Sequence, residues 1–239
     1  MPRIARQAVP DVDPREAPRY PLVEVAAYLR LPEATLKSWV IGRKFPRRKG
    51  GTGTSRPVIL RPHSGDFRLS FTNLFEAYVL RALRSKYQIR LAEVRMAIDH
   101  VERQYGIERL LIHSGLRAGP GKMFLDRYGE LVDLTARGQT GIREVWEAYL
   151  SRLAWDDDGN PLRFYPLTRE SPDGPRVVVI DPRISFGQPI IERRAIKTAT
   201  IASRFLAGEA IPEIAADYDL EVGDVEEALR HENYSRRAA

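Results

Sequence analysis

The chain contains no cysteine, so disulfides, thiolate zinc sites and cysteine nucleophiles are excluded, and a reducing, cytoplasmic setting is expected. No run of eighteen apolar residues occurs, and Met1 to Val12 carry Arg3 and Arg6 with no apolar stretch behind them. Neither membrane insertion nor export is expected. Histidine is scarce: His63, His100, His113 and His231 fall on separate stretches, and no pair has metal-ligand spacing. Gly50 to Thr54 lacks the lysine and following helix of a phosphate loop, and Gly119-Pro120-Gly121-Lys122 is followed by Met123 rather than Ser or Thr. Asp156-Asp157-Asp158-Gly159 opens like a calcium loop, but Leu167 stands where the twelfth-position glutamate belongs. No catalytic residue, metal or cofactor is therefore expected, and the chain reads as a non-enzyme.

What is present is a chain of 239 residues, 43% hydrophobic and 29% charged, which can bury a core and is long enough for two small domains. The formal charge of +6 is unevenly placed. Residues 1–63 hold 13 Lys/Arg against 5 Asp/Glu, residues 64–175 hold 16 against 16, and residues 176–239 hold 9 against 11. One end is thus suited to an anionic polymer and the other is not.

Residues 1–19 hold Pro2, Pro10, Pro14 and Pro18 among charges and read as a flexible arm. Leu22, Val25, Ala26 and Leu29 keep helical spacing, Leu31-Pro32 breaks the run, and Leu36, Trp39 and Val40 begin a second stripe. This predicts a helix, a turn and a helix, with Pro32 at the first position of the second helix and Trp39 in the core. Arg56 to Leu60, a turn at Pro62 to Asp66, and Phe67 to Leu69 predict a β-hairpin wing. Ser70 is placed to cap a helix through Phe71, Leu74, Phe75, Tyr78 and Val79, and Leu91, Val94, Ile98 and Val101 mark another. Short strands are expected within Phe124 to Val132 and a helix over Ile142 to Leu153. The turn Ser171 to Pro175 marks a boundary, followed by a strand over Val177 to Ile180 and helices near Thr198 to Leu206, from Pro212, and over Asp224 to His231. The fold class expected is mainly α with small β elements: a winged helix-turn-helix followed by a second helical domain.

Between Ile41 and Arg61 stand Arg43, Lys44, Arg47, Arg48, Lys49, Arg56 and Arg61 with no acidic residue. Cations in such a row can track phosphates, because each phosphate neutralised releases counterions. On the second helix Glu33, Thr35, Lys37 and Ser38 are the expected base-facing positions. Double-stranded DNA is the partner these features suit, and a homodimer with a palindromic site is the usual way to lengthen so short a reading.

Two stretches carry a family resemblance. Tyr20 to Leu29, with Leu36-Lys37-Ser38-Trp39-Val40 and Leu69 to Glu76, resembles a MerR-type winged helix-turn-helix over about residues 20–105, without the long dimerisation coiled coil of that family. Asp181 to Ile191, Gly208-Glu209, Ile211 to Tyr218 and Asp224 to Leu229 resemble a bacterial helix-turn-helix domain, formerly of unknown function, that serves as antitoxin to PIN-like ribonucleases. Together they resemble the long two-domain form of VapB-type antitoxin. That implies four units: the arm 1–19, a DNA-binding domain 20–108, a connecting α/β region 109–172, and an antitoxin-type domain 173–239. It implies a cognate PIN-like ribonuclease toxin as second partner, with repression of the chain's own operon; a stand-alone dimeric regulator with an effector domain is the other reading. Asp219, Glu221, Asp224, Glu226 and Glu227, flanking and on the last helix, would repel phosphate. Arg193 and Arg194, and Arg236 and Arg237 in a tail from Asn233 expected to be flexible, are the candidates for reaching into a toxin's acidic site.

Overall fold

The computed structural model describes residues 13–46, 50–63, 65–85, 91–106, 109–112, 147–169 and 171–238. It is mainly helical with small sheets, as expected. Helices α1 (Leu22–Tyr28) and α2 (Glu33–Val40) are joined by a turn in which Arg30 has φ +50°. Pro32 is the N-cap of α2 rather than its first helical residue: its fixed φ also suits the extended cap, and its carbonyl accepts from the Thr35 N–H at 2.9 Å.

The wing is not where the alternation placed it. Strands β1 (Lys44–Pro46) and β2 (Thr52–Thr54) pair antiparallel, so the hairpin lies inside the basic glycine-rich stretch. Residues 56–63 and 65–68 instead hold no strand. Val58 and Ile59 donate their N–H groups to the Trp39 carbonyl at 2.8 and 3.1 Å, and Leu69 joins Tyr20 in a single bridge. Alternation misleads here because Ile59 and Leu69 are buried by the helices, not by a partner strand.

Helix α3 (Phe71–Ser85) is the centre of the molecule, with every residue from Phe71 to Leu80 buried. It is capped as expected: Asn73 N–H donates to Ser70 Oγ at 3.1 Å, and Ser70 N–H to Asn73 Oδ1 at 3.3 Å. Its one buried carboxylate, Glu76, accepts from Arg109 Nε at 2.9 Å and from Asn73 Nδ2 at 2.9 Å. Burial pushes the Glu76 carboxyl up while Arg109 pulls it down. Helix α4 (Leu91–Tyr105) sets Val94 and Ile98 into the same core.

Two expected units merge into that core. Residues 13–19 are docked from Asp13 on: Thr72 N–H donates to the Arg15 carbonyl at 3.1 Å, Arg19 N–H to the Leu69 carbonyl at 3.0 Å, and Arg15 pairs with Asp156 at 2.9 Å. The described residues of the connecting region, 109–112 and 147–169, likewise contribute to the first core. Residues 147–150 are helical, so the helix ends before the expected Leu153, where strand β3 begins; β3 (Leu153–Trp155) pairs with β4 (Pro161–Phe164). The sheet lies on α3, with the Phe75 and Trp155 rings 5.2 Å apart and the Tyr78 and Phe164 rings 4.6 Å apart. Aromatic residues on separated segments cannot be assigned to one core from their own periodicity. The strands expected within 124–132, and Val145 and Trp146 of the expected helix, lie outside the described residues.

A second core is built from Val178, Ile191, Ile201, Ile214, Ala215, Val225 and Ala228. Strands β5 (Val178–Val179), β6 (Ile190–Ile191) and β7 (Ile196–Lys197) form an antiparallel sheet, and helices α5 (Thr198–Leu206), α6 (Ile211–Asp217) and α7 (Val222–Ala238) follow. Helix α7 runs through the segment expected to be a flexible tail. Ile180, next to β5, joins the first core through reciprocal hydrogen bonds with Phe164 of 3.0 and 2.8 Å, and α7 packs on α1.

Candidate nucleic-acid interface

The wing is fixed to the end of α2 by its backbone. Arg43 N–H donates to Ser55 Oγ at 2.9 Å and Ser55 N–H to the Arg43 carbonyl at 2.8 Å, closing the hairpin at its base. Gly42 makes this approach possible. It has φ +87°, and a Cβ there would stand 2.1 Å from the Ser55 carbonyl oxygen. Arg43 is exposed just before β1, and Lys44, Phe45 and Pro46 are exposed along it; Arg47, Arg48 and Lys49 lie outside the described residues. On α2, Glu33, Ala34 and Lys37 are exposed, Thr35 and Ser38 are half-buried, and the Ser38 hydroxyl donates to the Thr35 carbonyl at 2.7 Å. Lys37, Arg43 and Lys44 are therefore brought to adjoining elements with their ammonium and guanidinium groups open to solvent. Trp39 is core, 1% exposed.

Two of the expected cations depart from that arrangement. Arg61 donates to the Asp66 carbonyl at 3.0 Å and lies 5.1 Å from the Phe67 ring, so its guanidinium is spent on its own loop. Arg56 is exposed, but its carbonyl is held by Arg95 at 2.6 Å, beyond the base of the wing. Phe45, 44% exposed in the middle of β1, was not singled out by the charge pattern; a large ring on an otherwise cationic strand is the signal that could have found it.

The second helix-turn-helix is built differently. Its third helix, α7, is the element that would enter a groove, yet beyond the face that packs in its own core a further part of it is covered by the first domain. Glu227 on α7 is buried and accepts from Thr168 Oγ1 and from Arg169 Nη2 at 2.6 Å. Burial raises its carboxyl, and the hydrogen bonds of Thr168 and Arg169 outweigh that and hold it below the usual carboxylate range. Glu227 is thus an internal anchor and not a solvated repeller of phosphate. Of the other carboxylates, Asp219 pairs with Arg194, Glu221 with Arg193 at 2.9 Å, and Glu226 with Arg230 at 3.0 Å. Arg193 and Arg194 thus already hold intramolecular partners, although half of each guanidinium side chain faces water. The backbone at Arg236 and Arg237 is helical; their side chains lie outside the described set.

Likenesses to known proteins follow these two halves. Residues 18–98 match a family described as "Putative DNA-binding HTH domain", and residues 178–231 match one described as "Protein of unknown function (DUF433)". A Mycobacterium tuberculosis protein named "Putative antitoxin VapB45" is 28% identical over 228 residues, covering 90% of this chain and 93% of its own. A second protein of that organism, "Uncharacterized protein Rv2308", is 25% identical over 228 residues, covering 92% of each. The crystal structure of Rv2018 from the same organism superposes with a TM-score of 0.65 at 24% identity, covering 89% of this chain and 98% of that one, which speaks for the fold alone. The chain is therefore similar over nearly its whole length to a protein named "Putative antitoxin", residues 18–98 match the helix-turn-helix family, and both likenesses fit a DNA-binding regulator of the antitoxin kind.

Proposed function

We propose that the chain is the antitoxin of a toxin–antitoxin pair, which represses its own operon as a DNA-bound homodimer and neutralises a PIN-like ribonuclease. The observation that carries the DNA half is the attachment of the β1–β2 wing to the end of α2 through Gly42, Arg43 and Ser55. Lys37 on α2 and Arg43 and Lys44 at the start of the wing are exposed on consecutive elements, which supports a MerR-like winged helix-turn-helix reading. In this reading α2 enters the major groove with Thr35, Lys37 and Ser38 toward base edges, the wing follows the phosphates, and the DNA-binding unit comprises residues 20–108 closed by the β3–β4 sheet. Its place of action is the cytoplasm. The toxin is met by the C-terminal domain, with Arg193, Arg194, Arg236 and Arg237 as cations offered to an acidic nuclease site. Coexpression with the product of the neighbouring gene tests both halves. A stable complex that has lost ribonuclease activity and binds the upstream DNA with a palindromic footprint is expected; a wild-type chain that binds neither overturns the reading.

One observation favours the alternative, a stand-alone regulator that answers to an effector. A cavity of about 240 Å³ lies between α1 and the second domain, lined in part by Glu24, Tyr28, Lys197 and Glu232. A small polar molecule seated there would touch both domains.

A further inference from the structure

The segment before β6 turns through three successive residues of positive φ: Ser185 at +49°, Phe186 at +56° and Gly187 at +72°. Glycine accepts this region freely, whereas a phenylalanine in it is strained, and such strain persists only where the surroundings over-determine it. Here they do. Ile184 N–H donates to the Asp181 carbonyl at 3.1 Å, Gly187 N–H to the Ile184 carbonyl at 2.9 Å, and Gln188 N–H to the Ser185 carbonyl at 3.1 Å. Asp181, fully buried, accepts from the Arg183 N–H at 2.9 Å and from the guanidinium groups of Arg163 and Arg183, both at 3.1 Å. Gly187 is pressed onto the Tyr20 ring so closely that a Cβ would stand 2.0 Å from its hydroxyl.

What this strained turn achieves is display. Phe186 is 79% exposed, the most exposed large hydrophobic side chain among the described residues, with Ile184 partly exposed beside it. The hydrophobic effect would draw such a ring inward, and the backbone holds it out. A ring pre-set in this way loses little freedom on docking and buries a large area, the properties of an interface anchor. The cations around it outnumber the exposed carboxylates. Arg183 and Arg163 keep their guanidinium groups at the surface while the carboxylate between them is buried, and Arg19, donating to the Pro182 carbonyl at 3.0 Å, adds a third cation; Glu192, paired with Arg163, offsets one.

We propose that Phe186, supported by Ile184, is the apolar anchor by which this chain docks a partner protein whose apolar socket is edged by carboxylates. The assignment of that partner rests on the antitoxin reading, in which it is the toxin. The full-length chain and its Phe186→Asn and Phe186→Ala variants are coexpressed with the neighbouring gene's product, and affinity, thermal midpoint and mass in solution are measured. Asparagine tolerates the left-handed conformation, so Phe186→Asn keeps or raises the thermal midpoint while affinity falls about thirtyfold, the loss expected of a central aromatic. Unchanged affinity in both variants overturns the anchor and leaves the antitoxin reading standing. A wild-type chain that does not bind the neighbour's product overturns the reading and the anchor with it. A wild-type dimer that becomes a monomer in Phe186→Asn with partner affinity intact assigns the ring to self-association and overturns the proposal.

Discussion

Tyr28 on α1 and His231 on α7 stack with ring centroids 5.5 Å apart and planes 28° apart. The first helix of the DNA-type domain and the last helix of the second domain are thereby joined ring to ring. This covers part of α7, the third helix of a helix-turn-helix: one side packs on α1, and Glu227 faces Thr168 and Arg169.

The stack carries a pH dependence. Burial, with the nearby Arg30 cation adding to it, pulls His231 down from 6.5 to about 4. Above pH 6.5 the ring is neutral in both the folded and unfolded chain and its contribution is intact. As pH falls from 6.5 toward 4 the unfolded chain takes up the proton first, so stability declines across that window, by about 3 kcal/mol in all. His231→Phe keeps a ring against Tyr28 and removes the proton. Urea midpoints at pH 7 and pH 4.5 are expected to differ less in the variant than in the wild type; equal differences would refute the assignment.

Gly187→Ala is expected to destabilise the fold by about 3 kcal/mol, because a methyl group would meet the Tyr20 hydroxyl and the backbone would be strained at the same time. The Tyr20 hydroxyl has no hydrogen-bond partner among the described residues, so Tyr20→Phe alone is expected to be near neutral. Combining the two changes should recover about 1 kcal/mol by removing the nearest atom. A double-mutant cycle in urea with no coupling between the positions would contradict this close approach.

The wing cations predict a salt signature. Arg43→Ala, Arg47→Ala and Arg48→Ala together are expected to weaken binding to specific and random duplexes alike, and every phosphate left without its cation lowers the slope of log affinity against log salt by about 0.9. Arg61→Ala, whose guanidinium is engaged by Phe67 and the Asp66 carbonyl, should leave that slope unchanged. Fluorescence anisotropy at three salt concentrations separates the two outcomes.

Arg152 is the fourth test. It is 1% exposed and donates to the carbonyls of Pro172 at 2.7 Å, Gly174 at 2.5 Å and Pro175 at 3.1 Å, pinning the loop that leads into the second domain. Arg152→Ala leaves these acceptors and a cavity behind and is expected to cost about 3 kcal/mol. Lysine cannot span the three directions of the planar fork and should recover less than half of that. Full stability in Arg152→Lys by urea unfolding would show that the fork geometry is unimportant.

The sequence by itself determined the local elements whose signals are short-range: the α1–turn–α2 stripe, the Ser70 cap, α5 to Leu206 and its stop at Gly208, and the concentration of positive charge between Ile41 and Arg61. These depend on spacing, caps and composition within a few residues. Tertiary structure decided what depends on distant partners. It moved the wing into the glycine-rich stretch because Val58 and Ile59 are captured by the end of α2, and it drew 13–19 and 147–169 into one core around α3. It also turned Glu227 from an exposed charge into a buried anchor, and set Phe186 outward on a turn held by Asp181 and Tyr20. In each case the deciding interaction joins residues far apart in the chain, where neither periodicity nor local charge carries information about the partner.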